Sequence, residues 1–260
     1  MSSPLSFPVN VCRYPCILFL LVLLSFPHSV SAAAGQPFTP VGTVILDAGH
    51  GGHDPGALGT WDGQQYTEKD FALDITLRVR DILLQRAPDV NVMTTRDTDV
   101  YLTLDQRADF AIQRGPSRGT GSIFVSIHIN SAINKDADGY EVLIKKNNKL
   151  VTFLDERSPL TAIKQWSSYR SSELNRQLNI QNQKLAEHVI STFSSFFPMA
   201  RNRGIVERDI YVLNYSRTPS VLIEVGFLSN ESDARNLRDE EWRQKTAAAI
   251  ATAILAYRNL

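Results

Sequence analysis

Four ionisable residues stand where a hydrolytic site would need them: His50, Glu68, His128 and Glu224. His50 follows the apolar run Thr43-Val44-Ile45-Leu46, His128 ends Ile123-Phe124-Val125-Ser126-Ile127, and Glu224 ends Val221-Leu222-Ile223. Each run is short and rich in β-branched residues, so each reads as a buried strand. Ligands of open, largely parallel sheets bind outside the carboxyl ends of the strands. Parallel pairing would therefore bring these three side chains to one edge. Glu68 opens a helical pattern in which positions 68, 72, 75 and 79 share a face, and a carboxylate that continues an apolar stripe needs a partner. Two histidines and a carboxylate are the usual ligands of a catalytic zinc that keeps its fourth position for water. The chain has no clustered acidic loop of the kind that calcium or magnesium prefers. The remaining carboxylate is then suited to general base work. Each residue alone has a structural explanation: a satisfied histidine, an ion pair, a carboxylate complementing a helix dipole, glycines in a tight turn. Their joint placement favours chemistry, and spacing alone leads as far as a metal-dependent hydrolase.

The elements that must position them alternate along the chain. A helix is expected from Thr67 as N-cap, with Asp70 three residues on and Phe71, Ile75, Val79, Ile82 and Leu83 at helical spacing, ending before Pro88. Strands are expected at 90–93 and 139–144, and helices at 104–112, 174–197 and through Trp242 to Ala256. Ile210-Tyr211-Val212-Leu213 reads as a further strand. The fold class is α/β, a single domain with a mostly parallel twisted sheet and helices on both faces. Residues 147–176 are polar, lack a sustained period and read as an insertion.

Arg13 precedes an apolar run, Cys16 to Leu24, followed by the small residues Val30-Ser31-Ala32, the pattern of an export signal cleaved after Ala32. A short lead over 33–42 and a catalytic domain over 43–260 follow. The run is shorter than the roughly 20 residues a bilayer requires, so no stable membrane span is expected. Both cysteines, Cys12 and Cys16, lie within the signal, which removes disulfides and thiol chemistry from the mature chain. Twenty-seven basic residues balance 27 acidic ones, giving no sign of a nucleic-acid partner.

Leu46-Asp47-Ala48-Gly49-His50-Gly51-Gly52-His53-Asp54-Pro55-Gly56-Ala57, Thr67-Glu68-Lys69-Asp70 and Phe124-Val125-Ser126-Ile127-His128-Ile129-Asn130-Ser131-Ala132 resemble, in order, motifs of the zinc-dependent N-acetylmuramoyl-L-alanine amidases of the type-3 family. Arg203-Gly204-Ile205, Tyr211-Val212-Leu213 and Val221 to Asn230 match its closing portion. The resemblance implies that His50, Glu68 and His128 hold Zn2+ and that Glu224 is the catalytic base and acid. It further implies a peptidoglycan substrate cut between the lactyl group of N-acetylmuramic acid and L-alanine. Arg96 and Arg107 match a family arginine pattern and read as structural support. Glu141 matches a glutamate near the family's site, and Asn130 either orients His128 or meets substrate. His53 and His188 are expected to be non-catalytic. In cell-division members of the family a segment placed like 147–176 folds as a helix that blocks the zinc until an activator protein displaces it. Two readings of residues 147–176 stand side by side: a segment that acts likewise, with an acidic residue such as Glu156 or Glu173 near the metal, or a surface excursion. Export to the periplasm is expected, with the extracellular wall as the alternative.

Three rival readings stand beside this one. Gly115-Pro116-Ser117-Arg118-Gly119 fits a serine-hydrolase pattern, but that motif needs a strand before it and a helix after it, and the order here is reversed. A non-catalytic peptidoglycan-binding module would be expected to lack a ligand or the base, whereas all four positions are filled. Another envelope zinc peptidase is separated from the amidase only by the order of the motifs.

Overall fold

The computed structural model describes residues 37–113, 120–156, 158 and 160–259, together with Met1. The signal, including its cleavage point and both cysteines, and the serine-hydrolase pattern at 115–119 lie outside the described residues. The central strands are Val41–Ala48 (β1), Asn91–Thr94 (β4), Gly121–Asn130 (β5), Tyr140–Lys145 (β6), Asn202–Arg208 (β7) and Ser220–Phe227 (β8), in the order β4-β1-β5-β8-β6-β7. β4, β1, β5 and β8 pair in parallel, β6 runs antiparallel to β8, and β7 is parallel to β6. The mostly parallel sheet expected from the sequence is present, with its last two strands reversed.

Period-two alternation divides the core between two faces. Val44, Leu46, Ile123, Val125, Ile127, Val221 and Ile223 belong to one cluster with Ile75 and Val79 of Glu68–Arg86 (α1), Leu185 of Ser171–Phe196 (α4) and Ile250 of Glu240–Arg258 (α7). Ile45, Phe124 and Leu222 instead join Ala111 of Leu104–Gln113 (α2) and Val212 and Leu213 of Tyr211–Asn214 (α5). Helices thus cover both faces. α1 begins after Thr67, whose hydroxyl lies 2.5 Å from the Asp70 carboxylate, and closes at Ala87 because Pro88 cannot follow in a helix.

Several expectations change. Ile210 to Leu213 is not a strand: Tyr211–Asn214 forms the short helix α5, since a four-residue apolar run has too little length to reveal its period. The strand of this region lies earlier, as β7, a mixed-polarity edge. α4 starts at Ser171, three residues before Leu174. Leu58–Trp61 (β2) and Gln64–Thr67 (β3) form a hairpin turned by Asp62 and Gly63, both at positive φ, as a two-residue turn requires. Glu231–Arg238 (α6) is capped by the Asn230 side chain, which accepts from Ser232 N and Asp233 N.

The 147–176 insertion is ordered differently from expectation. It contains Leu160–Trp166 (α3) and the start of α4, and Val151, Phe153, Ala162, Trp166, Leu174 and Leu178 close a separate apolar cluster around Phe38. Residues 37–42 thus pack with the rest of the fold, and β1 already begins at Val41. Because β6 runs against β8, it delivers the insertion to the edge where β5 and β8 start. There Arg217 binds Asp155 and Ser158, and Gln165 donates to the Pro37 carbonyl. From Gly121 to His128, β5 covers about 23 Å at roughly 3.3 Å per residue.

Candidate metal centre

The carboxyl ends of β1, β5 and β8 share one edge, and His128 and Glu224 are register partners across β5 and β8. α1 brings Glu68 to the same edge. Donor atoms of His50, Glu68 and His128 all lie within 4.8 Å of one another. Glu68 is the hub: Oε1 lies 2.8 Å from His128 Nδ1 and Oε2 lies 3.1 Å from His50 Nε2. The backbone N–H groups of Ile129 and Ala57 donate to the same two oxygens. Burial works to raise the Glu68 carboxyl, but the two histidines outweigh it and hold the group ionised well below the ordinary range. Burial in turn disfavours the His50 cation, and Glu68 and Asp54 reverse this, raising it to about 9. Its Nδ1 is held by Asp54 at 2.8 Å, which leaves Nε2 facing Glu68. A carboxylate holding the rear nitrogen is the usual support of a metal-binding imidazole.

The loop after β1 depends on backbone features that only certain residues supply. His50 itself has φ 58°, and Arg107 donates to its carbonyl, to the Ala48 carbonyl and to Asp47. Arg96 gathers the carbonyls of Ala48, Gly49 and Lys69. Both arginines are thus structural supports, as the sequence suggested. A Cβ on Gly49 would sit 2.5 Å from the His128 ring. Gly49→Ala is therefore expected to displace that imidazole and weaken metal affinity about 10–100-fold, the range seen when a ligand's support is lost. Competition with a chromophoric chelator measures it, and unchanged affinity would dissociate the close approach from the site.

Glu224 lies beside this group. Burial pushes its carboxyl up to about 7; the His128 charge opposes the rise, while Glu68 and Glu141 add to it. Its Oε2 is buried without a hydrogen-bond partner. Glu141 faces Glu224 across β6 and β8, accepts from Asn130 Nδ2 at 2.9 Å, and has Arg203 Nε at 3.5 Å. Asn130 thus orients Glu141; its bond is not to His128. His53 packs against Tyr101 with ring centroids 4.0 Å apart, and His188 meets the Tyr257 ring at 6.2 Å; neither joins the group. Neither Glu156 nor Glu173 belongs to the cluster. Glu173 pairs with Arg176 in the first turn of α4, and the insertion occupies the opposite edge. Among the described residues, no helix of the insertion lies over the cluster. Sequence reasoning assigned no role to Asp54, Asp47 or Arg203. Asp47 was the most visible of these, as a charge within a buried strand.

Fold and cluster define a class: a hydrolase on an open α/β sheet, with a group able to hold a divalent ion at the strands' carboxyl edge. Residues 44–256 match the family Amidase_3, N-acetylmuramoyl-L-alanine amidase, and the chain belongs to that family. It hydrolyses the amide between the lactyl group of N-acetylmuramic acid and L-alanine in peptidoglycan. Among its relatives, the uncharacterised YqiI of Bacillus subtilis is 35% identical over 215 residues, covering 83% of this chain and 84% of the relative. An uncharacterised cell wall amidase of Bacillus anthracis is 30% identical over 221 residues, covering 83% of this chain, which spans 35% of that relative's length. The amidase AmiC2 of Nostoc punctiforme superposes with a TM-score of 0.65 at 30% identity, covering 86% of this chain and 99% of that one.

Proposed function

We propose that His50, Glu68 and His128 hold a zinc ion and that Glu224 carries the proton of the amidase reaction, in a protein exported by its first 32 residues and acting in the periplasm. The observation carrying this reading is the convergence of two imidazoles and a carboxylate within 4.8 Å, beside a buried carboxylate oxygen that has no partner. The donor set fits zinc, which favours imidazole and carboxylate ligands in small number. When bound, zinc supplies Lewis acidity, polarising the lactyl carbonyl and making water more acidic.

The chain's own residues do the rest. Glu224, near neutrality at about 7, accepts the proton of the attacking water and returns it to the departing L-alanine nitrogen, which needs a group able to exist in both states at working pH. Glu141 accepts a hydrogen bond from Asn130 and has Arg203 Nε at 3.5 Å. Asp54 holds the rear nitrogen of His50 so that the ring presents one fixed face. No helix among the described residues is long and apolar enough to cross a membrane.

Digestion of purified peptidoglycan, followed by mass spectrometry of the new termini, tests the reading. Free L-alanine amines are expected, disappearing with a chelator and returning with zinc. Chelator-insensitive release, or intact stems on cleaved glycosidic bonds, would contradict it.

A further inference from the structure

We propose that Arg203 is a specificity residue that binds a free carboxylate of the substrate's stem peptide, one residue beyond the alanine whose amide is cut. The inference rests on the amidase reading above. Tyr140 pairs with Asn202 but Val142 pairs with Ile205, so Arg203 and Gly204 together stand opposite Glu141. An extra residue of this kind re-aims a side chain and is common beside active sites. Gly204 accepts the required φ of 82°, and the Asn202 side chain accepts from its N–H.

This bulge aims Arg203 at the catalytic edge. Its Nε lies 3.5 Å from Glu141 Oε2, without the geometry of a hydrogen bond, and is buried without a partner. The guanidinium carbon lies 5.0 Å from the centroid of the Phe227 ring, and Nη1 makes a long contact of 3.4 Å to the Asp138 carbonyl. Among the described residues no other hydrogen bond engages this guanidinium, although its side chain is only 29% exposed. Arginine carries five donors in a rigid fork suited to a carboxylate, so a cation held over a ring with donors to spare is prepared for an anion.

Distance selects the anion. Glu141 is the register partner of Glu224, and strands lie about 4.8 Å apart, which puts the guanidinium roughly 5–10 Å from the proton-carrying carboxyl. An extended peptide advances about 3.3–3.6 Å per residue, so a group belonging to the residue after alanine lies about 7 Å from the departing nitrogen. In peptidoglycan that residue is a D-glutamate joined through its side chain, with its α-carboxyl either free or amidated. The Arg203 charge also offsets that of Glu141, which would otherwise repel such a group.

Muramyl-L-alanyl-D-glutamate and its α-carboxamide counterpart, muramyl-L-alanyl-D-isoglutamine, separate the possibilities, using wild type, Arg203→Gln and Arg203→Lys. Binding is read by NMR titration and turnover by the amine released. Wild type is expected to prefer the carboxylate about ten-fold or more in Kd and KM, as a charge-assisted pair would confer. Arg203→Gln should abolish that preference in Kd, and Arg203→Lys should restore part of it. Absence of turnover with the binding preference intact would count against the amidase reading alone. Equal binding of the two ligands by wild type, undetectable binding of both, or an Arg203→Gln variant that keeps the carboxylate preference, would overturn the role assigned to Arg203.

Discussion

Glu224→Gln is expected to lower kcat about 10²–10⁴-fold, the usual contribution of a positioned proton carrier, with metal content unchanged. The side chain keeps its shape and its place opposite His128, so the His50, Glu68 and His128 donors stay where they are. What disappears is a group whose affinity for a proton lies near 7 and can rise and fall within one turnover. The amide neither accepts the proton of water nor returns one to the alanine nitrogen. KM should move little, because the lost interaction belongs to the transition state. Steady-state release of amines, with metal measured by elemental analysis on the same preparation, checks both halves. A variant that loses its metal would make Glu224 part of the ligand set, and one that keeps full kcat would hand the proton to another group. Glu141 is the nearest alternative, and its engagement by Asn130 and Arg203 argues against it.

The residues legible in the sequence were those whose environment is set by their own element. His50, His128 and Glu224 each follow an apolar strand, and Glu68 continues the buried stripe of α1, so period and position were enough to place them. Features set by distant pairing were not legible. Nothing in Tyr140 to Lys145 tells that β6 runs against β8, yet that reversal decides that the insertion leaves toward the far edge and that Glu141 meets Glu224. β7 was missed because Asn202, Arg203, Glu207 and Arg208 give it the polarity of a loop, as an edge strand can have. Tyr211 to Asn214 misled in the opposite direction, being apolar for the sake of the second face of the sheet. The hairpin was within reach, since Asp62-Gly63 is a turn signal, and so was Asp47, a charge that no buried strand carries without a partner.

That partner makes Arg107→Ala the second large effect. Asp47 is 1% exposed and Arg107 4%, and removing one member of a buried pair leaves an uncompensated charge, costing about 3–5 kcal/mol. Arg107 also donates to the carbonyls of Ala48 and His50, so the loss reaches the metal loop: His50 sits at φ 58°, a conformation that persists only where its surroundings hold it. Unfolding by urea should show the stability loss, and chelator competition should show weakened metal binding. Arg107→Lys should fall between, retaining charge without the fork that serves three acceptors. The pH dependence has a definite sign. In the folded protein burial would raise Asp47, but Arg107, Thr95 and Ser126 outweigh it and hold the carboxyl below its ordinary value of 3.8. Its contribution is therefore complete above that value and lost as pH falls through the lower folded one. Without Arg107 burial is opposed mainly by two hydroxyls, the folded carboxyl rises, and the variant's deficit should shrink on acidification. A deficit that is the same at pH 7 and at pH 4, or a loss below about 1 kcal/mol, within the range of ordinary surface changes, would mean that Asp47 is satisfied without Arg107 and that the loop is held by Arg96 alone.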